Sequence, residues 1–290
     1  MEVLEIVAHA KINLSLDVLG KRKDGYHDLR MIMQTVGLHD TIQLEAVRGG
    51  ISLVCNSRWV PQDGTNVAWK AAELLIDKHR IKSGVRIKII KRIPVAAGLA
   101  GGSTDAAAVL RGMNGLFSMG LEDEELRILG KQVGADVPYC ISGGTRLAEG
   151  IGEKLTVLPD FSDVDIVLVK PKVGVSTAWV YGNLNISEIS AMDRPDTDLL
   201  GQAFVQRDIK TIAENMKNVL EKVTIPKYGI VQEAKDRLLE VGALGCMMSG
   251  SGPAVFGIFP DSTAAAKAYG ILATDRRWQC FCTKTTGDIK

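Results

Sequence analysis

Apolar and polar residues alternate over long stretches of the first part of the chain. Ile12, Leu14, Leu16 and Val18 are separated by single polar residues. A period of two residues is typical of a strand with one buried face. We therefore expect strands over residues 2–18, 31–47 and 51–55, with a charged turn over residues 20–25. The spacing then becomes helical, and a helix is expected to open at residues 63–66 and to bury Val67, Ala71, Leu74 and Leu75.

The remainder of the chain mixes short apolar runs with segments of helical spacing. Helices are predicted over residues 122–133, 208–223, 229–241 and 262–272, the last with Ser262 as its cap, and strands over 166–169, 247–259 (interrupted by a glycine turn) and 278–283. Strands and helices do not alternate regularly, which favours an α+β fold over a doubly wound sheet. The Leu158–Ser162 segment places a boundary near residue 160, which divides the chain into domains over residues 1–160 and 161–290.

Composition excludes several classes of function. The 290 residues carry a formal net charge of +1, so no basic field is available to hold nucleic acid or an anionic membrane. The five cysteines, an odd number without C-x-x-C spacing, argue against a disulfide framework and a zinc site and favour a reducing cytoplasm. No signal peptide and no apolar run long enough to span a membrane are expected. The sequence does not predict an oligomeric state.

A glycine-rich loop is the strongest candidate for chemistry. It reads Pro94-Val95-Ala96-Ala97-Gly98-Leu99-Ala100-Gly101-Gly102-Ser103-Thr104. An alternating strand over residues 85–93 precedes it, and a helix is expected to follow, capped by Ser103 or Thr104. Glycines let backbone N–H groups turn toward a phosphate, and a helix N-terminus adds positive dipole. The loop has neither the lysine of a Walker A motif nor the spacing of a dinucleotide fingerprint. A flexible connection whose small residues serve packing is the alternative.

Three segments together resemble the GHMP kinases (galacto-, homoserine, mevalonate and phosphomevalonate kinases). The glycine-rich loop resembles their phosphate loop, residues 8–14 with 24–29 resemble an amino-terminal signature, and Met248–Phe256 resembles their carboxy-terminal glycine motif. The resemblance implies a two-domain α+β fold with the active site in the cleft between domains. Residues 1–160 would then be the ATP-binding domain and residues 161–290 the substrate-binding domain. It also implies ATP and Mg²⁺ as cofactors.

The phosphate loop ends in Gly-Gly-Ser-Thr-Asp, and a Gly-Tyr-His segment stands at residues 25–27. Both resemble members of the family that phosphorylate a cytidine diphosphate sugar alcohol. Two alternatives stay open: another small-molecule kinase of the family, of the homoserine or mevalonate type, and a catalytically silent nucleotide-binding module.

Asp136 and Lys11 are the candidate catalytic residues. Asp136 stands in Gly-Ala-Asp-Val-Pro, a constrained turn that resembles the segment bearing the family's catalytic aspartate. A local cap or a solvated turn residue is the alternative interpretation. Strand alternation predicts that His9, Lys11 and Asn13 share one face, which in a generic strand would be solvated. The resemblance implies that Lys11 lies beside Asp136, where its charge would favour the ionised carboxylate and polarise the substrate hydroxyl.

The remaining candidates are ligand contacts that the resemblance implies. Asn13 would hydrogen-bond the substrate, and Tyr26, His27 and Tyr181 would hold the cytidine, Tyr181 standing where the family usually has phenylalanine. For each aromatic residue, core packing is the alternative. Asn66 would reach the adenine or cap a helix. The 248–253 glycine segment is a second anion site or a plain hairpin turn.

Overall fold

Two β-sheets form the centre of the computed structural model, which describes residues 3–289. The six-stranded sheet has the order β3-β4-β2-β5-β6, with β1 paired to β2, and the four-stranded sheet has the order β10-β7-β9-β8. Their strands are β1 (Val3–Lys21), β2 (His27–Val47), β3 (Ile51–Cys55), β4 (Gly84–Ile90), β5 (Thr145–Gly150), β6 (Lys154–Val157), β7 (Asp165–Pro171), β8 (Gly245–Met248), β9 (Val255–Phe259) and β10 (Trp278–Lys284). All pairings are antiparallel except that of β3 with β4.

Ten helices and two short 3₁₀ turns cover these sheets in the described part of the chain. The helices are α1 (Val67–His79), α2 (Gly101–Leu116), α3 (Asp123–Val133), α4 (Val137–Ser142), α5 (Thr177–Gly182), α6 (Thr197–Gln206), α7 (Ile209–Asn215), α8 (Glu221–Lys227), α9 (Ile230–Glu240) and α10 (Ser262–Leu272), and the turns are Ile186–Glu188 and Ala191–Asp193. None of these helices is long and apolar enough to cross a membrane.

The long hairpin of β1 and β2 carries the alternation that the sequence predicts, but with interruptions. Its register shifts between His9 and Lys11 and again between Asn13 and Ser15. A bulge changes which face the following side chains occupy. The side chains of Lys11 and Asn13 remain neighbours and are hydrogen-bonded. The His9 ring lies away from them and meets the His39 ring edge-on, with 5.5 Å between the ring centroids. The prediction that all three polar residues share one face is therefore wrong for His9.

Several predicted helix limits differ from the structure for identifiable reasons. Helix α2 begins at Gly101 after Ala100, whose left-handed backbone (φ 56°) starts the helix early, so neither Ser103 nor Thr104 is its cap. The expected helix over 208–223 is two helices, because the intervening chain pairs with Leu16 of β1 and the Asn218 amide binds the carbonyls of Met248 and Gly250. Asp261, rather than Ser262, caps α10. The sequence patterns did not predict α4, α5, α6, β5 or β6.

One apolar cluster joins the two halves of the chain. It contains Ile12 and Leu14 from β1 together with Phe161 and Phe204 from beyond residue 160. The rings of Phe161 and Phe204 meet edge to face at 5.2 Å, and Phe161 is fully buried. The six-stranded sheet ends at residue 157 and the four-stranded sheet begins at residue 165. The division at residue 160 into an ATP-binding domain and a substrate-binding domain stays a prediction. Residues 1, 2 and 290 of the predicted domains lie outside the described residues.

We expect Phe161→Ala to lower the free energy of unfolding by about 3–5 kcal/mol, because the variant leaves a cavity where the two sheets meet. Val157→Ala, only a few residues away, removes a side chain that is 69% exposed and should change stability by less than about 0.5 kcal/mol. Urea unfolding measures both. Equal losses in the two variants would contradict a shared core at this junction.

Candidate active site

A cleft of about 990 Å³ runs past the glycine-rich loop and is lined by both halves of the chain. The amino-terminal half contributes the loop, residues of β1 and β2 and the turn before α4. The carboxy-terminal half contributes Thr177, Ala178, Tyr181 and Gly182 from α5, and Ser251. A cleft of this size, with polar groups converging from several elements, is the usual form of a small-molecule site.

Contacts with the other half of the chain hold the loop in a defined conformation. Gly98 has a left-handed backbone (φ +78°), and a Cβ at this position would lie 2.0 Å from the carbonyl oxygen of Ser249. The Ser249 hydroxyl donates to the Gly98 carbonyl at 3.0 Å, and the Ala254 N–H donates to the Ala97 carbonyl at 3.2 Å. The 248–253 glycine segment therefore supports the phosphate loop from behind. Its Ser251 reaches the cleft, where the hydroxyl pairs with that of Thr177 at 2.8 Å.

The first turn of α2 continues the cleft wall directly after the loop. Gly101, Gly102 and Ser103 line it, and the early N–H groups of a helix are free to bind an anion. Thr104 is placed differently: it is buried, and its hydroxyl donates to the backbone oxygen of His9 at 2.7 Å. Residues 94–103 therefore lie on the cleft wall, whereas the hydroxyl of Thr104 ties α2 to β1.

A buried charge cluster beneath the loop was missed by the sequence reasoning. The ammonium of Lys91 donates to Asp40 at 2.5 Å, to Asp105 at 2.7 Å and to the Gly101 carbonyl at 3.0 Å. The other oxygen of Asp40 accepts the backbone N–H groups of residues 92 and 93. These contacts fix the last residues before the loop and the first turn after it. Asp40 and Lys91 are 51 positions apart, so sequence spacing offered no signal for the cluster.

One lysine cannot neutralise two buried carboxylates at once. Burial and the neighbouring charge of Asp40 raise the pKa of Asp105 to about 8, although Lys91 opposes that shift. Burial opposes the charged form of Lys91, but the two carboxylates raise its pKa overall. The Oδ1 atom of Asp105 is buried and has no hydrogen-bond partner among residues 3–289. Burial and the second carboxylate therefore favour the protonated form of Asp105.

Lys11 and Asp136 meet at the centre of the cleft. The Lys11 ammonium lies 3.8 Å from Asp136 and donates to the Asn13 amide oxygen at 2.8 Å, while the Lys11 backbone N–H donates to the Leu99 carbonyl. The lysine is 5% exposed, so it does not belong to a solvated strand face. Asp136 occupies the N-cap position of α4, yet its side chain makes no capping hydrogen bond. Its carboxylate is thus held in place with an oxygen available to a ligand.

The aromatic residues form one end of the cleft. The rings of His27 and Tyr181 lie 5.2 Å apart at 34°, and Tyr26 next to them is 58% exposed. Burial, with a smaller contribution from the charge of Asp136, raises the pKa of Tyr181. Burial and the charge of Lys21 lower the pKa of His27, so this imidazole is neutral near pH 7. The alternative interpretation, that these aromatic residues pack in the core, does not fit Tyr26, because most of its side chain is exposed.

Asn13 and Asn66 are already engaged within the protein. The Asn13 side chain is fully buried and lies behind the cleft wall. Its amide oxygen accepts a hydrogen bond from the Lys11 ammonium, and its amide nitrogen donates to the Met31 sulfur. Asn66 lines the cleft, but its side-chain oxygen caps α1 at the Ala68 N–H and its amide nitrogen donates to the Pro61 carbonyl at 2.6 Å. In the structure Asn66 caps α1, as its helix-capping interpretation predicts. A contact between Asn66 and adenine stays a prediction.

The fold and the site together define a kinase of the GHMP class. The model for the GHMP kinases N terminal domain matches residues 66–144, and that for the GHMP kinases C terminal domain matches residues 201–275. These ranges include the phosphate loop, Asp136 and the 248–253 segment.

Comparison with curated proteins and solved structures is more specific. The chain is 59% identical to the 4-diphosphocytidyl-2-C-methyl-D-erythritol kinase of Acetivibrio thermocellus, covering 98% of this chain and 100% of that one. It is 50% identical to the enzyme of the same name from Clostridium botulinum, covering 96% and 98%. A crystal structure of 4-(cytidine 5'-diphospho)-2C-methyl-D-erythritol kinase superposes with a TM-score of 0.84 at 30% identity, covering 98% and 100%. The chain belongs to the 4-diphosphocytidyl-2-C-methyl-D-erythritol kinase family.

We expect Asp105→Asn to remove a pH-dependent loss of stability. The pKa of the Asp105 carboxyl is near 3.8 in the unfolded chain and about 8 in the folded protein. Between these two pH values the folded protein therefore binds more protons than the unfolded chain. Wild-type stability therefore falls as pH rises toward 8. Because asparagine is neutral throughout, the variant should be more stable than wild type by about 1 kcal/mol or more at pH 8, with a smaller difference at pH 5.

Urea unfolding at pH 5, 7 and 8 measures this difference, with Asp77→Asn on the exposed face of α1 as the matched control. The Asp77 variant should follow the wild-type pH profile. A variant at position 105 that is less stable than wild type at pH 8 would mean that the ionised Asp105–Lys91 pair stabilises the fold.

Proposed function

We propose that the protein transfers the γ-phosphoryl group of ATP to the 2-hydroxyl of 4-diphosphocytidyl-2-C-methyl-D-erythritol, giving the 2-phosphate and ADP. The observation that carries this proposal is the 59% identity, over nearly the whole of both chains, to a curated kinase named for that substrate. The step belongs to non-mevalonate isoprenoid biosynthesis. Five cysteines without a disulfide suit a reducing compartment, and we place the reaction in the cytoplasm.

The geometry of the cleft supplies the parts that phosphoryl transfer needs. Backbone N–H groups of the 94–103 loop and of the first turn of α2 bind the triphosphate oxygens. Asp136 accepts the proton of the attacking hydroxyl or orients that hydroxyl toward the γ-phosphorus. Lys11 places positive charge beside Asp136 and the transferring group. Positioning and electrostatic stabilisation together perform the reaction, since a loose transition state makes little demand on early proton removal.

Mg²⁺ is the metal that this class of reaction uses. The hydroxyl oxygen of Ser103 on the cleft wall suits it, because Mg²⁺ prefers oxygen ligands and binds through one or two protein groups plus phosphates and water. In keeping with so few protein ligands, residues 3–289 contain no cluster of three acidic, histidine or cysteine side chains. When bound, the ion would neutralise charge on the phosphate oxygens.

The acceptor's cytidine occupies the aromatic end of the cleft. Tyr26, His27 and Tyr181 all line the cleft, and a base stacks on such rings through its π face. Tyr181 stands near Asp136, so a nucleoside held there directs its attached alcohol toward the catalytic pair. Asn13 accepts a hydrogen bond from the Lys11 ammonium and orients it, and the hydrogen bond from Asn13 to the substrate stays a prediction.

The two alternative functions have less support. A homoserine kinase from Cytophaga hutchinsonii superposes with a TM-score of 0.77 over 99% of this chain and 96% of that one, but at 20% identity it shares the fold alone. A silent nucleotide-binding module would not need a buried lysine beside an uncapped aspartate.

Release of ADP from Mg-ATP with three acceptors in parallel tests the proposal. We expect turnover with 4-diphosphocytidyl-2-C-methyl-D-erythritol and none above background with homoserine or mevalonate. Turnover with either of the other alcohols alone would overturn the assignment of the aromatic end to cytidine. Nucleotide binding without any turnover would support the silent module.

We expect Asp136→Asn to lower kcat by about 10²–10⁴-fold, the range for loss of a positioned acid–base group, while the dissociation constant for ATP changes by less than about threefold. Calorimetric titration with ATP measures binding and the coupled ADP assay measures turnover. Asp198→Asn, at a carboxylate whose side chain is 91% exposed, is the control and should behave as wild type. Loss of ATP affinity in step with turnover would instead make Asp136 a nucleotide or structural residue.

A further inference from the structure

A second cavity, of about 480 Å³, lies outside the active-site cleft, between β1, α2 and the segment that follows β10. None of the described residues lines both cavities. The strand contributes residues of its first half, the helix contributes Arg111 and Gly112, and the carboxy-terminal segment contributes residues 286–289. A volume of this size is within the range of small-molecule sites, and the proposed reaction makes no use of it.

Arg111 brings a positive charge to the wall of this cavity. Its half-buried guanidinium makes no hydrogen bond and no ion pair with any residue from 3 to 289. Burial lowers the pKa of Arg111, and only the charge of Asp123, at the exposed start of α3, opposes that shift. Charged groups that leave water are normally paired with an opposite charge. The guanidinium therefore stands at the cavity with its donors available to a ligand.

The position of Arg111 is fixed by close packing of the helix on the strand. The next residue of α2 is Gly112, where a Cβ would lie 2.4 Å from the Cδ1 atom of Ile6. Only glycine allows α2 to approach β1 so closely. The arginine beside it is therefore held against the first half of β1, where the cavity opens.

His9 is the second basic group that lines the cavity. Its Nδ1 atom donates to the Val36 carbonyl at 3.2 Å, so Nε2 is the nitrogen that takes up a proton when the ring becomes charged. Burial lowers the pKa of His9, and the charges of His39 and Arg111 lower it further, while the hydrogen bond to Val36 opposes the shift. An anion bound beside His9 and Arg111 would favour the protonated ring.

The acidic residues of the lining do not neutralise these two groups. Glu5 accepts a hydrogen bond from Gln43 at 2.9 Å and precedes His9 by four strand residues, about 13 Å along β1. Asp288 forms an ion pair with Arg146 at 2.9 Å. The part of the cavity next to His9 therefore carries an excess of positive charge.

The rest of the lining combines a hydroxyl with apolar walls. The hydroxyl oxygen of Thr286 is buried and has no hydrogen-bond partner in the described part of the chain. Arginine, histidine and threonine side chains together offer several donors to the oxygens of a tetrahedral phosphate. The apolar walls suit a short hydrocarbon chain, and their side chains are Leu4, Ile6, Val7 and Ile289.

We propose that this cavity is a second ligand site, which binds a phosphate ester that carries a short apolar chain. Arg111 and the protonated ring of His9 hold the phosphate, and the apolar side chains of β1 cover the chain of the ligand. The site is independent of the proposed function, because neither ATP nor the acceptor is needed to occupy it.

Histidine ring resonances in NMR spectra test this site separately from the active-site cleft. The chain has four histidines, of which His27 lines the cleft, and His9→Gln assigns the resonance of His9. The probes are n-butyl phosphate, inorganic phosphate and n-butanol. We expect n-butyl phosphate to move the His9 resonance at a concentration at least about fivefold lower than inorganic phosphate does, because its chain is removed from water. n-Butanol should leave the resonance unchanged.

The protonation of His9 gives a readout that a structural role would not move. With n-butyl phosphate bound, the pKa of His9 should rise by about one unit, because a negative charge then lies beside the ring. A pH titration of the His9 resonance with and without the probe measures the change. The resonance of His79, which lies outside the cavity, should titrate identically in both.

Arg111→Gln should weaken binding of n-butyl phosphate by about tenfold or more, because charge-assisted hydrogen bonds to the anion are lost. Arg48→Gln, at an exposed arginine outside the cavity, is the matched control and should bind as wild type does. Arg111→Lys keeps the positive charge without the planar fork, so its affinity should fall between those of wild type and Arg111→Gln.

An unmoved His9 resonance, or equal affinity of wild type and Arg111→Gln, would overturn the proposal. Equal affinity for n-butyl phosphate and inorganic phosphate would overturn the role of the apolar walls. A shift confined to His27 would place the anion in the active-site cleft instead. Neither ATP nor the acceptor is present in these titrations. A wrong proposed function would therefore appear as failed turnover in the ADP-release assay, with the His9 results intact.

Discussion

Everything in this site depends on holding the 94–104 loop in one conformation at the cleft wall. A glycine-rich loop has no intrinsic reason to stay in that shape, since its residues lose much conformational entropy when fixed. Three sets of contacts fix it here. The Lys91 cluster holds its two ends, the Lys11 backbone binds Leu99 in its middle, and Ser249 with Ala254 supports it from the other half of the chain. Both halves of the chain therefore hold the loop in one conformation.

The same contacts place Lys11 and Asp136, the candidate catalytic pair, relative to the loop. Lys11 binds Leu99 through its backbone and faces Asp136 through its side chain, so one residue links the loop to the candidate base. Asp136 begins a helix without capping it, so its carboxylate is not engaged by the N–H groups of that helix. Preorganised groups of this kind act without reorganising during the reaction, which is how electrostatic stabilisation is most effective.

Local patterns predicted most of the strands, most of the helices and the glycine loop, because alternation, helical spacing and glycine content are properties of neighbouring residues. Contacts between distant residues were not predictable from those patterns. The Asp40–Lys91 pair joins positions far apart, the bulge after His9 follows from pairing with β2, and Asn218 breaks a helical segment by binding another strand end. The pairing of Lys11 with Asp136 came from family resemblance, and neither residue's surroundings indicated it.

The most direct test of how this cleft works is a crystal structure with a non-hydrolysable ATP analogue and 4-diphosphocytidyl-2-C-methyl-D-erythritol bound together. We expect the triphosphate along residues 94–103, with the acceptor's 2-hydroxyl within hydrogen-bond distance of Asp136 and in line with the γ-phosphorus. A complex in which the 2-hydroxyl lies out of reach of Asp136, or in which the triphosphate avoids the loop, would contradict the assignment of this cleft as the place of phosphoryl transfer.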